Sequence, residues 1–238
     1  MSGGAAQESE SGAVLLDLAP LLESVLTRTE LSEEDVIRAC DQAKQLGIAA
    51  VIVRPSDVDT VARRLQGSSV MLGAVVDSPH GYSTTAAKTY AASDLLRRGV
   101  RQIDTVMNTG KLISRQFQFL EMELLQMAES CHESGAVLAV DLESEHLNEE
   151  LKILACRIAR RAGADSIGTS RLEDIPLLAS HSRDRLKIKS CAPGADLDQV
   201  LAFRDAGCAR VQVSDPAAIL EAWQALQIPS PESSATSH

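Results

Sequence analysis

The feature that most constrains the fold is a pattern that occurs three times along the chain. At Gly99, Gly163 and Gly207 a helical stretch ends, a short turn follows, and an apolar, strand-like run begins. Glycine is favoured just after a helix because it adopts the left-handed conformation that ends many helices. A unit that repeats at similar intervals in this way indicates consecutive βα units, in which helices connect parallel strands.

The rest of the chain alternates in the same way. Apolar runs predict eight strands, at residues 14–18, 49–54, 70–76, 102–108, 137–142, 166–169, 186–189 and 210–213. Helical patterns follow them at about 32–46, 56–65, 84–98, 114–134, 148–162, 172–182, 197–206 and 216–226, the first with a capping-box-like start at Ser32. Eight such units match a single (β/α)8 TIM barrel. The alternative is a doubly wound open sheet, but no GxGxxG follows the first strand and no GxxxxGK[ST] occurs.

Composition predicts the limits of the domain and its surroundings. Residues 1–12 and 229–238 are small and polar, so we expect disordered tails around one barrel domain at residues 13–228. The formal net charge of -10 disfavours nucleic acid and anionic membranes as partners. The chain has no membrane-length apolar run, no signal-peptide pattern and no CxxC pair among its five cysteines. We therefore expect a soluble cytoplasmic protein with no disulfide, metal or cofactor.

Ionisable residues lie inside several predicted strands, where a charge is uncommon unless it is paired. They are Asp104 on the fourth strand, Asp141 on the fifth, and Lys187 and Lys189 on the seventh. Residues two apart on a strand share a face, so Lys187 and Lys189 are expected on the same side. Ionisable groups that converge at the carboxyl ends of barrel strands predict an active site, and a desolvated lysine there suits Schiff-base chemistry.

Several short motifs, in order along the predicted strands, resemble those of the deoxyribose-phosphate aldolase family. They are Ala49-Ala-Val-Ile-Val-Arg-Pro55, Pro79-His-Gly81, Gln102-Ile-Asp-Thr-Val-Met-Asn108, Ala162-Gly-Ala-Asp165, Thr169-Ser170, and Lys189 followed by Ala206-Gly207. The resemblance extends from about Leu15 to Leu226. It implies a TIM barrel and a Schiff-base aldehyde-lyase, which cleaves a small sugar-derived aldehyde substrate reversibly.

The resemblance also implies roles for individual residues. Asp104 matches the family's strand-four aspartate, which helps to relay protons, and Lys189 matches the strand-seven lysine, which lowers the pKa of the reacting lysine. The Schiff-base lysine itself falls on Gly168, and glycine cannot form a carbinolamine. The predicted substrate-binding residues are Asn108, Thr169, Ser170 and Ser214.

The positions that bind phosphate in the family are altered as well. The family holds the substrate phosphate with backbone amides of glycine-rich turns and a helix N-terminus. Here Leu172 stands where a glycine is expected, Ala192-Pro193 replaces a Gly-Gly pair, and Asp215 would place a negative charge beside a phosphate. These changes predict a substrate that is not held through a phosphate in the usual way.

Two hypotheses follow from the altered site. In the first, the protein is a divergent aldehyde-lyase in which Lys189 or Lys187 has become the nucleophile, with mutual repulsion lowering one lysine pKa. Lys187 also has plainer interpretations, as the buried partner of Asp141 or as a residue of the lower rim. In the second, the protein is a pseudoenzyme that binds a metabolite or a partner protein. The sequence leaves the oligomeric state open, with a homodimer as one option.

Overall fold

The computed structural model of the protein describes residues 18–227 and shows a closed barrel of eight parallel strands in chain order. The strands are β1 (Leu22–Leu26), β2 (Ala50–Val53), β3 (Met71–Val76), β4 (Gln102–Val106), β5 (Val137–Leu142), β6 (Ser166–Thr169), β7 (Lys187–Ser190) and β8 (Arg210–Val213). Because β8 pairs in parallel with β1, the sheet has no open edge. The predicted (β/α)8 barrel is confirmed, and the open-sheet alternative is excluded.

Nine α-helices connect and cover the strands of the described chain. They are α1 (Glu33–Leu46), α2 (Val58–Arg64), α3 (Thr85–Arg97), α4 (Thr109–Ile113), α5 (Phe117–Glu133), α6 (Glu149–Arg161), α7 (Ile175–Ser182), α8 (Leu197–Asp205) and α9 (Pro216–Gln227). The predicted capping box of α1 is present, since the Ser32 side chain accepts from the Asp35 amide. The helix expected at 114–134 is α5, and the shorter α4 lies before it; the two helices are separated at Arg115, which adopts a left-handed φ of 56°.

The repeated glycines perform the role that the sequence indicates. Gly99, Gly163 and Gly207 have φ values of 98°, 86° and 99°, a backbone conformation that residues with a Cβ rarely adopt. Each turn leads the chain from a covering helix back into the barrel. The main apolar core lies between strands and helices, and a smaller apolar cluster fills part of the barrel interior around Val25 and Ile52.

The predicted position of the first strand is wrong. Of residues 14–18, residues 14–17 lie outside the described chain and Leu18 is helical, whereas the first strand of the barrel is Leu22–Leu26. This strand carries an acidic residue, Glu23, which interrupts its apolar run. The Glu23 side chain points into the barrel, where Oε2 lies 3.0 Å from Lys189 Nζ. A prediction based on apolar runs therefore did not identify this strand, because the paired carboxylate of Glu23 interrupts its apolar sequence.

The described residues cover the predicted domain at 13–228 except for residues 13–17 and 228. The tails predicted at 1–12 and 229–238 lie outside the described chain. Within residues 18–227, none of the helices combines the length and the apolar character needed to cross a bilayer.

The loop after β3 contains a glycine whose replacement we expect to destabilise the fold. Gly81 has a φ of +69°, and a Cβ built there would lie 2.5 Å from the Val106 carbonyl oxygen. Gly81→Ala should lower the free energy of unfolding by roughly 2–3 kcal/mol, measured by chemical denaturation. Gly194→Ala is the control, because no atom lies within 4 Å of the added Cβ. Equal losses in the two variants would contradict this account.

Candidate active site

A closed cluster of polar side chains occupies the barrel interior around Lys189. The Lys189 ammonium on β7 forms a short ion pair with Asp104 Oδ2 on β4 and lies 3.0 Å from Glu23 Oε2 on β1. Gln102 Nε2 donates to Asp104 Oδ1 at 2.9 Å and to Glu23 Oε1 at 3.1 Å, and Gln212 Nε2 donates to Asp104 Oδ2 at 2.8 Å. All five side chains are buried. Side chains from four strands thus converge at one ammonium group, because each occupies an inward-facing position of its strand.

The protonation of Lys189 and Asp104 is set by burial and by their charged neighbours. Burial alone would lower the pKa of Lys189, but Asp104, Glu23 and Asp141 outweigh it and raise that pKa well above its usual value. Burial raises the pKa of Asp104 to about 6, against the opposing effect of Lys189 and with Asp141 and Glu23 adding to the rise. At neutral pH Lys189 is an ammonium ion, so it has no lone pair with which to attack a carbonyl.

Gly168 lies on β6 between two strands that carry charged residues. It pairs with Asp141 on β5 and with Lys189 on β7. A Cβ at Gly168 would overlap Cys191 Sγ and lie 2.5 Å from Asp141 Oδ1. The Cys191 thiol donates to Asp141 Oδ1 at 2.9 Å. The space beside the glycine is therefore filled by a thiol and a carboxylate.

The thiol and the carboxylate each have a raised pKa. Burial raises the pKa of Asp141, with a smaller contribution from Glu23, although Lys189 and the thiol hydrogen bond oppose the rise. Burial and the Asp141 carboxylate raise the pKa of Cys191 well above its usual value. A thiol that keeps its proton is a weak nucleophile. Cys191 therefore acts as a hydrogen-bond donor that holds Asp141 in place.

A cavity of about 330 Å³, here called the mouth cavity, opens at the carboxyl ends of the strands. Asp104 and Asp141 reach its wall from below, and Glu143 and Glu145 line it nearer the rim. None of its lining residues is lysine or arginine within the described chain. Its neutral polar lining includes Ser78, Ser170, Cys191 and Gln212. The mouth cavity is thus a negatively charged site of small-molecule size, and residues 18–227 contain no group of three metal-ligating side chains.

The structure places only one of the four predicted substrate-binding residues on the mouth cavity. Ser170 lines it. Asn108 caps α4, its Oδ1 accepting a backbone amide at 3.0 Å. Thr169 is buried and does not line the cavity; its Oγ1 hydrogen-bonds Ser144 Oγ at 2.8 Å. Ser214 is exposed and lines a separate groove beside α1 and α9.

The positions expected to hold a phosphate make other contacts. Asp215 Oδ1 accepts the Ala218 amide at 3.1 Å, so a carboxylate already caps the N-terminus of α9. The Pro193 carbonyl accepts the Ser214 amide at 2.8 Å. Leu172 presents a side chain that is 39% exposed. An anion that approached the start of α9 would meet a carboxylate there.

Lys187 does not reach the cluster. It begins β7 opposite Ser166, and its side chain is exposed. Of the three interpretations of Lys187, the structure shows the residue at the lower rim, because β7 enters the barrel interior only at Lys189. The prediction that repulsion between Lys187 and Lys189 lowers the pKa of Lys189 is wrong, because carboxylates raise that pKa.

Glu23 and Gln212 were missed as members of the site. Gln212 lies on a strand that was predicted correctly, but a neutral side chain gives no charge signal. Glu23 did give a signal, because it is a single acidic residue within the apolar run Leu21-Leu-Glu-Ser-Val-Leu26. A charge within a strand-length run points to a buried partner, and that partner is Lys189.

Known proteins resemble this chain along most of its length. The deoxyribose-phosphate aldolase of Treponema denticola is 30% identical over 213 residues, covering 86% of this chain and 99% of that protein. That of Aciduliprofundum boonei is 31% identical over 213 residues, covering 86% and 96%. No protein-family model matches the chain.

Solved structures show the same likeness. The aldolase QR15 has a TM-score of 0.80 at 28% identity and covers 87% of this chain and 96% of that chain. The tetrameric deoxyribose phosphate aldolase of Aeropyrum pernix has a TM-score of 0.83 and covers 94% and 100%. At 22% identity, the likeness to the Aeropyrum pernix structure shows a shared fold alone.

Removing the Lys189 ammonium leaves Asp104 and Glu23 buried without a cation. We expect Lys189→Met to lower the free energy of unfolding by about 3–5 kcal/mol at neutral pH, measured by chemical denaturation. The loss should shrink as the pH falls, because the raised pKa of Asp104 lets this buried carboxyl take up a proton in the folded state.

The matched control is Lys187→Met on the same strand. Its side chain is exposed, so we expect a change within about 0.5 kcal/mol. Similar losses for the two lysines would show that the cluster does not stabilise the barrel.

Proposed function

The chain belongs to the deoxyribose-phosphate aldolase family, and from this premise we propose that it binds a small metabolite in the mouth cavity without Schiff-base cleavage. In this proposal the barrel is a pseudoenzyme with respect to the chemistry for which its relatives are named. The observation that carries the proposal is that neither relevant position offers a free amine. Position 168 is glycine, and Lys189 is an ammonium ion held by two carboxylates.

The Lys189 contacts argue against a relocated nucleophile. To attack a carbonyl, the ammonium would have to release its proton and leave both Asp104 and Glu23. Transfer of the proton to Asp104 is unfavourable, because the pKa of Lys189 is raised well above its usual value and that of Asp104 is about 6. No lysine lines the mouth cavity within residues 18–227. The free amine that an imine requires is therefore a minor species.

The mouth cavity supports a binding role. Its volume of about 330 Å³ lies within the range of small-ligand pockets. Ser170 and Gln212 provide neutral polar groups, and Val25 and Ile52 provide apolar surface. This combination suits a small polyhydroxy or carbonyl compound. A phosphorylated compound is disfavoured, since the wall is acidic and Asp215 occupies the start of α9.

A retained aldehyde-lyase activity is the second candidate, and Asp104 is the observation that favours it. Asp104 reaches the cavity wall with a pKa of about 6, which suits proton transfer near neutral pH. In this alternative Asp104 relays protons and Lys189 is the nucleophile in the fraction of molecules in which it is deprotonated. Trapping of the imine separates the two candidates.

We expect no imine at Lys189. The protein is incubated with acetaldehyde, glyceraldehyde or 2-deoxyribose 5-phosphate, reduced with borohydride and mapped by mass spectrometry. Lys187 is the internal control, because its exposed amine reports non-specific modification. Labelling of Lys189 above the level at Lys187, together with retro-aldol cleavage, would contradict the pseudoenzyme proposal and favour the lyase.

The companion variant is Gly168→Lys, with Gly168→Ala as the control for folding. The new side chain meets Cys191 and the Asp141 carboxylate, which would pair with an ammonium and keep it protonated. We expect no cleavage of 2-deoxyribose 5-phosphate. Restored cleavage would show that the rest of the pocket is still an aldolase site.

A further inference from the structure

We infer that the ligand of the mouth cavity carries an ammonium group, and that this group binds the carboxylate of Asp141. The inference rests on the proposed function, because it takes the mouth cavity as the ligand site. It adds the chemical class of the ligand, a small hydroxylated amine.

The Asp141 carboxylate forms no ion pair within the described chain, although the Lys189 ammonium lies near enough to favour its ionised form. Its hydrogen bond comes from the neutral thiol of Cys191 at 2.9 Å, which donates to Oδ1. Among residues 18–227, no lysine, arginine or histidine lies within ion-pair distance of either Asp141 oxygen. Asp104, by contrast, binds the Lys189 ammonium and two glutamine amides. Asp141 is half-buried and lines the mouth cavity, so a cation that entered the cavity could reach its carboxylate.

The charge of the surroundings points the same way. The interior holds Glu23, Asp104 and Asp141 against the single ammonium of Lys189. Glu143 and Glu145 add negative charge nearer the rim, and the lining contains no basic residue in the described chain. A concave acidic wall concentrates cations and repels anions. The field therefore favours an amine over a phosphate.

Gly168 provides the geometry for this site. Without a side chain at position 168, Asp141 and Cys191 extend across β6, and both line the mouth cavity. A Cβ at Gly168 would have to displace both groups. The absence of a side chain at position 168 thus leaves the Asp141 carboxylate in the cavity wall, where it can bind an external amine.

The protonation of Asp141 should make binding depend on pH. The groups that face Asp141 are Lys189 and Cys191 from β7 and its exit, Glu23 from β1 and Asp104 from β4. Burial raises the pKa of Asp141, and a bound ammonium favours the ionised form. Binding of the amine should therefore release a proton in acid, and affinity should rise with pH until the carboxylate is fully ionised.

The test compares three compounds that differ in one group: 3-amino-1,2-propanediol, glycerol and glycerol 3-phosphate. Each is titrated into the full chain at about pH 8 and about pH 5, with backbone NMR shifts giving the dissociation constant and the site. We expect the amine to bind at least about tenfold more tightly than glycerol at the higher pH. The preference should weaken at the lower pH, and glycerol 3-phosphate should bind most weakly.

The variant that tests the contact is Asp141→Asn, which keeps the shape and still accepts the Cys191 thiol. It should reduce affinity for the amine about tenfold and leave that for glycerol unchanged. Asp198→Asn is the matched control, because it removes the same charge from an exposed position on α8. Thermal denaturation of both variants checks that they are folded.

The outcomes separate the inference from the proposed function. If the amine binds no better than glycerol, or if Asp141→Asn keeps the preference, the inference is overturned. Binding of glycerol or glycerol 3-phosphate at the mouth cavity would then leave the proposed function standing. If none of the three compounds shifts residues of the mouth cavity, the inference is overturned and the metabolite-binding proposal loses its support for this class of compound.

Discussion

The contact on which the rest of the site depends is the buried pairing of the Lys189 ammonium with Asp104 and Glu23. Each charge in it would be expensive to bury alone, and together with Gln102 and Gln212 they satisfy one another. The pairing joins β1, β4, β7 and β8 across the barrel interior. It also favours the ammonium form of Lys189, because the two carboxylates raise the pKa of this lysine.

Gly168 lies next to this cluster, since it pairs with Lys189 on β7. Asp141 and Cys191 fill the space next to the glycine. The result is a cavity whose wall carries carboxylates and no basic side chain within the described residues. The fold of an aldolase is kept, and the charge that its mouth presents to a ligand is negative.

The barrel could be predicted from the sequence because its signals are local. Glycine turns, apolar runs and a helix cap each depend on a few neighbouring residues, and strand alternation correctly placed Asp104 and Lys189 inside. The failures depend on tertiary contacts. Glu23 looked unlike a strand residue until its partner was known, and Lys187 shares a face with Lys189 but lies where β7 has not yet entered the barrel.

Alternation also explains the outcome for the predicted substrate-binding residues. Ser170 lines the mouth cavity, and because adjacent strand residues face opposite sides, its neighbour Thr169 is not part of the lining. The resemblance assigned substrate binding to both residues of the Thr169-Ser170 motif, although only Ser170 lines the cavity.

The charge state of Lys189 tests the account most directly. NMR of selectively labelled lysine, assigned with Lys189→Arg, reports the Lys189 Nζ group through a pH titration. The account predicts an ammonium ion that persists above about pH 9, beyond the range in which catalytic lysines titrate. A Lys189 amine that loses its proton near about pH 7–8 would contradict it and would restore this residue as a Schiff-base nucleophile.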